Sequence, residues 1–279
     1  MLQRITVLGG DLRQKYLTER LLAGGFPVET YHVPELSDSA ASLHACLQSA
    51  DALALPMPAL TREGWICAQD RPIPLIPVLE SLSPGTLVFG GPFDAVSETL
   101  AQYPIIVCDY THSAALAAAN AIPTAEGAIG LAMEHLPITL WNARCLVVGF
   151  GRIGKVLAAR LSGLGAHVRV AARRADDRAL AEALGFSSEH TGRYLHGLAQ
   201  YDCIFNTVPA PIFSGEQLRA MRPDCLLLDL ASAPGALAPD IGSFDAPRYL
   251  RAPGLPGKAA PATAASILCG HILTTLAAH

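Results

Sequence analysis

Short apolar runs and amphipathic stretches alternate along almost the whole chain. Ile5–Leu8 is a mainly apolar run that stops at Gly9-Gly10-Asp11, and Leu12–Ala23 then repeats apolar positions at helical spacing. Val28–Val33 alternates as a strand does, and Ala50–Leu55, Thr86–Phe89 and Ile105–Val107 read as further strands. Pro56–Pro84 reads as a loop followed by a short helix. An alanine-rich helix is expected over 113–120. Pro123 is expected to open a separate helix, with Thr124 as its cap, because proline suits a first turn and not an interior. In the second half, Cys145–Val148, His167–Val170, Asp202–Pro209 and Cys225–Ser232 read as strands and Lys155–Leu161 as a helix. The stretch 248–254 leads into a loop at 255–258, and Pro261 opens a last helix through about Leu276. Strands at this spacing, separated by helices, imply an α/β fold built on doubly wound parallel sheets.

One junction in that pattern carries chemistry. Gly149, Gly151 and Gly154 fall where the strand Cys145–Val148 gives way to a helix, in the spacing G-x-G-x-x-G. Such a turn lets the chain reverse tightly, lets backbone approach a pyrophosphate and packs the helix on the strand. The N–H groups of Arg152 and Ile153 then open the helix toward the phosphates. A ligand-free tight turn is the plainer alternative. An NAD-binding turn of this kind has an acidic residue about 20 positions on, for the ribose hydroxyl. This chain has Ala171-Ala172-Arg173-Arg174 instead, which favours NADP: two guanidinium groups match a 2′-phosphate. The bland reading is two solvated arginines at the start of a loop.

With 279 residues the chain is long enough for two domains, and with 51% hydrophobic and 16% charged residues it is globular, not disordered. No apolar stretch reaches the ~20 residues that span a bilayer, and the N-terminus enters a strand with no signal-peptide layout. A net charge of -4 argues against nucleic acid as a partner. Seven widely spaced cysteines form no C-x-x-C and read as free thiols of a cytoplasmic protein. No histidine spacing suggests a metal.

Two further places invite a functional reading. Gly9-Gly10-Asp11 with Arg13 suits a phosphate or carboxylate at a strand end facing a shared cleft, and equally suits a turn with Asp11 as helix cap. Asn120, Thr124 and Glu126 are presented near the expected junction of two domains. Cap and first-turn acid account for Thr124 and Glu126 alone and leave Asn120 open.

Taken together, Gly9-Gly10-Asp11-x-Arg13-Gln14, Ile122-Pro123-Thr124-x-Glu126-Gly127, the glycine turn, Asn206-Thr207-x-Pro209, Asp229-Leu230-Ala231-Ser232-x-Pro234-Gly235 and the block from Ala252 to Ala264 resemble the family of dipicolinate synthase A subunits. The matches keep the family's order over nearly the whole chain, and the last block is the most specific. The resemblance implies two Rossmann-like domains joined by an interdomain helix, as in D-2-hydroxyacid-type dehydrogenases. On that reading residues 1–121 form a substrate domain and 122–257 the NADP-binding domain, with 122–140 as the interdomain helix and 258–279 returning to the first domain. It implies NADP-dependent oxidation of a dihydrodipicolinate, on a branch of the lysine pathway, in the mother-cell cytoplasm of a sporulating bacterium. The implied partner is a B subunit, and the implied oligomer is a homodimer. The nicotinamide is expected beside Thr207, Val208, Pro209 and Ala231. Carboxylate holders would be Thr124, Ser232, Thr263, the backbone of Gly254, Leu255, Pro256 and Gly257, and Lys258 or Arg13, with Asp11 and Asn120 nearby. Glu126 is the first candidate base and His112 the second, although a lone histidine more often sits at a surface and Lys258 also suits a plain helix start. A D-2-hydroxyacid dehydrogenase would need an arginine after the Asp229 strand and a histidine near the last helix. Here 231–235 and 255–258 hold neither, and no histidine follows until His271. A nucleotide-binding scaffold whose chemistry resides in its partner is the alternative of another class.

Overall fold

The computed structural model describes residues 3–39, 42–69, 71–192, 194–238, 241 and 248–279. The chain divides into two compact units, residues 1–120 with 260–279 and residues 121–259.

In the first unit the strands are β1 (Ile5–Leu8), β2 (Val28–Tyr31), β3 (Ala52–Ala54), β4 (Leu87–Gly90) and β5 (Ile106–Asp109). They alternate with α1 (Leu12–Ala23), α2 (Leu43–Leu47), α3 (Leu75–Glu80) and α4 (Ser97–Leu100). All pair in parallel in the order β2-β1-β3-β4-β5. Helix α5 (Ala114–His135) follows. The second unit contains β6 (Arg144–Val148), α6 (Arg152–Gly163), β7 (His167–Ala171), α7 (Ala175–Ala183), β8 (Ser187–Glu189), β9 (Cys203–Asn206), α8 (Gly215–Arg219), β10 (Leu226–Asp229), β11 (Arg248–Arg251) and α9 (Leu255–Ala259). Its parallel sheet runs β11-β10-β9-β6-β7-β8, the order of a dinucleotide-binding sheet. Helix α10 (Pro261–Leu276) belongs to the first unit, where Leu268 and Ile272 pack with Leu17, Leu21, Ile5 and Val7.

Both sheets are covered on both faces, which is why their strands read as apolar runs and not as alternations. In the second unit, Val147, Phe205 and Leu228 face one core with Leu157 and Leu161 of α6, while Leu146, Ile204 and Leu227 face another.

Several local expectations are corrected. Pro123 does not begin a helix: it lies inside the 22-residue α5, so Thr124 is a buried interior residue and caps nothing. Proline removes one hydrogen bond and crowds one carbonyl. Burial of Leu116 on one side of it and of Ala125, Ala128, Ile129 and Ala132 on the other outweighs that cost. Residues 255–258 form most of α9 instead of a loop, turning in after Gly254 at φ +70°. The strand from Val28 stops at Tyr31 and not Val33, because His32 takes φ +53° and leaves the ladder. The one-turn helices α2 and α4 and the strand β8 are too short to show a period.

Among the described residues no helix is long and apolar enough to cross a membrane, and no cluster of His, Cys, Asp and Glu could hold a metal. All seven cysteines are free thiols.

Candidate functional site

In the second sheet β6 lies between β7 and β9, so connections leave it toward opposite sides and a crevice opens at its carboxyl end. The three glycines stand there for different reasons. Gly149 has φ +94°, and a Cβ on it would overlap Thr207 Oγ1. A Cβ on Gly154 would overlap the Gly149 carbonyl oxygen, so α6 reaches the turn only because that residue is bare. A Cβ on Gly151 would meet nothing within 4 Å, so the space beside it is open. The first intrahelical bond of α6 runs from Lys155 N–H to Gly151 O at 3.0 Å. The N–H groups of Arg152, Ile153 and Gly154 therefore have no intrahelical acceptor, and Gly151 has no side chain to cap them. Open space, three oriented donors and the positive end of a helix dipole fit a pyrophosphate.

Gly9-Gly10 makes a different turn. Gly9 N–H donates to Tyr31 O at 3.0 Å and Gly10 N–H to Cys67 O at 2.8 Å, so neither is left for an anion. Asp11 caps α1 by accepting from Arg13 N–H at 3.0 Å. Its carboxylate also takes the Arg13 guanidinium, through Nε at 2.9 Å and Nη2 at 2.7 Å, and Nη2 donates in addition to the Met57 carbonyl. Burial raises the Asp11 carboxyl pKa, but the bonds and charge of Arg13 outweigh it and hold the value below the ordinary one. Of the two readings of this turn, the structure takes the cap. Arg13 is buried and neutralised, which corrects its assignment as the carboxylate-binding cation.

After β7 no carboxylate stands where a ribose-binding acid would; Ala172-Arg173-Arg174 follows the strand. Arg174 precedes α7 and pairs with Asp176 at 3.3 Å, both side chains being exposed. Arg178 donates from Nη1 to the carbonyls of Ala172 (3.1 Å) and Arg173 (2.8 Å), holding this turn from behind.

At the ends of β9 and β10, Asn206 and Asp229 are register partners and both fully buried. Asp229 accepts from Asn206 Nδ2 (2.8 Å), Ala231 N–H (3.2 Å), Ala236 N–H (2.8 Å) and Tyr249 OH (2.9 Å). Asn206 also clasps Val208, donating to its carbonyl (3.0 Å) and accepting from its N–H (3.1 Å). Burial, together with the bond to Asp229, pushes the Tyr249 phenol pKa up, which keeps it a donor. Four donors satisfy one buried carboxylate, and the loops 207–209 and 230–236 are thereby tied to the strands. Tyr249 is not singled out by the sequence pattern. The readable signal was a polar residue ending each of two apolar strands.

Residues 4–111 match the family model for the N-terminal domain of the dipicolinate synthase A subunit, and residues 124–235 that of the D-isomer specific 2-hydroxyacid dehydrogenase NAD binding domain. The sequence is 30% identical to the A subunit of dipicolinate synthase of Bacillus subtilis (strain 168) over 98% of this chain and 96% of that protein. The chain belongs to the family of dipicolinate synthase A subunits.

Two crystal structures within that family share the fold. Dipicolinate synthase A chain from Bacillus subtilis is 30% identical with a TM-score of 0.86, over 99% of this chain and 96% of that one. The corresponding dipicolinate synthase chain from Bacillus halodurans is 26% identical with a TM-score of 0.88, over 99% and 98%. The second unit is thus a dehydrogenase-type, NAD(P)-binding domain of a dipicolinate synthase A-type chain.

The expected site residues separate into those that gather at one sheet edge and those that do not. The glycine turn, Arg173-Arg174, Thr207-Val208-Pro209, Ala231-Ser232 and Gly254–Lys258 all follow parallel strands of one sheet and so gather at its carboxyl edge. Ser232 and Lys258 are exposed there. Glu126 is not among them: its carboxylate meets Arg160 Nε at 3.1 Å, in the last turn of α6. Eight residues at ~1.5 Å rise put that contact ~12 Å along the helix from Arg152. Glu126 is therefore a surface ion-pair partner and not the base. Its neighbour Gly127 serves packing, since a Cβ there would lie 2.8 Å from Ala259 Cβ of α9. In the first unit, His112 is exposed after β5, Thr263 is exposed in the first turn of α10, and Asn120 Nδ2 lies 4.0 Å from Met57 Sδ, whose carbonyl Arg13 holds.

Proposed function

We propose that this chain is the oxidoreductase component of a dipicolinate synthase, converting dihydrodipicolinate to pyridine-2,6-dicarboxylate with NADP+ as acceptor. The observation that supports it best is a complete pyrophosphate turn followed by the carboxylate-free, arginine-bearing turn Ala172-Arg173-Arg174, in a chain of this family. Gly149–Gly154 would hold the pyrophosphate, Arg173 the 2′-phosphate, and Thr207–Pro209 with Ala231 the nicotinamide end. When bound, NADP+ supplies a hydride acceptor; the ring also loses one proton, and aromaticity drives both losses.

The chain's own part is positioning. Asp229 and Asn206 fix the loops that carry Thr207 and Ala231, so that the reacting edge is preorganised. Ser232 and Lys258, with the backbone of Gly254–Gly257, are suited to clamp carboxylates at that edge. The family name supports a partner B subunit and work in the mother cell of a sporulating bacterium. A hydroxyacid dehydrogenase is disfavoured: residues 231–235 and 255–258 supply neither arginine nor histidine, and His271 packs edge-on against buried Tyr110 at 5.9 Å.

The coenzyme assignment is tested by titrating the purified chain with NADP+ and NAD+ in a calorimeter. Binding of NADP+ at least ~10-fold tighter is expected, from one or two charge-assisted bonds to the phosphate. Equal or reversed affinities would contradict it.

A further inference from the structure

The turn that would receive the 2′-phosphate is part of a larger basic wall. Arg178 reaches the carbonyls of Ala172 and Arg173 with Nη1 only, and among the described residues its Nε and Nη2 hydrogens have no protein acceptor. The same side chain lines an open cavity of about 680 Å³ with Glu182, Ser188, Glu189 and His190. This cavity adjoins the turn, since Ala172 N–H donates to the Glu189 carbonyl at 3.0 Å and Ala171 is the register partner of Glu189. His190, the next residue, therefore stands beside Ala172. Its Nδ1 accepts the Gly192 N–H at 3.0 Å, which leaves Nε2 to carry the ring proton and donate outward.

The acids in this wall are already engaged. Glu182 Oε1 accepts from Ser188 Oγ at 2.8 Å, Glu189 Oε1 accepts from Tyr201 OH at 3.3 Å, and Glu189 Oε2 lies 3.9 Å from Arg169 Nη1. Asp176 is taken by Arg174. What remains directed at a ligand is a set of donors: Arg173, the free edge of Arg178 and His190 Nε2.

We propose that Arg178 and His190 complete, with Arg173, the subsite for an adenosine 2′-phosphate, and that they set the preference for the phosphorylated coenzyme. This inference rests on the reading of the coenzyme as NADP. Arg178 acts twice, holding the backbone of the turn and offering its other edge to the phosphate, whereas His190 contributes a single donor from an exposed position.

The test is calorimetric titration of the full chain and its variants with 2′,5′-ADP and with 5′-AMP, which differ by the 2′-phosphate alone. His190→Ala is expected to weaken 2′,5′-ADP about fivefold, the worth of one hydrogen bond, and to leave 5′-AMP unchanged. His190→Gln, which keeps a donor, should restore much of the loss. Arg178→Ala should weaken 2′,5′-ADP by about tenfold or more. Unchanged selectivity in both alanine variants, with the parent chain still preferring 2′,5′-ADP, would overturn this inference and leave the NADP reading standing. A parent chain that does not distinguish the two probes would overturn both.

Discussion

At the scale of single residues, buried polar groups do most to order the candidate site. Asp229 is a fully buried carboxylate with four donors, and it connects the end of β10 to Asn206, Tyr249 and two loops at once. Asp11 and Arg13 satisfy each other, which removes them from substrate chemistry and makes them a clamp on the start of α1. The thiols are kept inert by burial, which pushes Cys145 and Cys225 up to about 12. His271 yields a pH prediction. Burial lowers its pKa below the ordinary 6.5, so the folded chain favours the neutral ring. That contribution to stability is fully present above the unfolded value of about 6.5 and is lost as pH falls through the lower folded value. Urea midpoints of the parent chain should fall between about pH 7.5 and 5 more steeply than those of His271→Phe, which keeps an edge for Tyr110. Parallel curves would refute the assignment.

At the scale of elements, the glycine turn separates packing from ligand binding. Gly154→Ala should destabilise the fold by roughly 2 kcal/mol, because the new methyl overlaps a backbone carbonyl that cannot move aside. Gly151→Ala meets open space and should keep the melting temperature of the apo chain, yet weaken NADP+ binding about tenfold by filling the phosphate's approach. Thermal melts with and without NADP+ distinguish the two, and equal apo stabilities would show the turn to be misread. Much at this scale is legible in the sequence. The bounds of β1, α1 and α10 follow from apolar runs between glycine and proline punctuation, since such signals are local. Pro123 inside α5 is not, because two separate packings on either side of it keep the helix whole. The same holds for Glu126: a first-turn acid and an ion-pair partner look alike until Arg160, 34 residues on, is placed beside it. Arg178 and His190 are hidden in the sequence for the same reason, being joined only through the β7–β8 pairing.

At the scale of the molecule, the chain is two α/β units, each with cores on both faces of a parallel sheet, and only the second has a turn with open donors for a dinucleotide among the described residues. The first has kept the strand-glycine-helix outline and filled its donors internally. Family membership and the geometry of the second unit together support NADP-linked oxidation by this chain, as against a scaffold for chemistry elsewhere. The most direct test supplies the purified chain with NADP+ and with substrate generated in place by the lysine-pathway synthase, then follows NADPH and dipicolinate together, with and without the B subunit. Equal amounts of both products formed by this chain alone are predicted. Formation of neither until the B subunit is present would contradict the account and move the reacting groups to the partner.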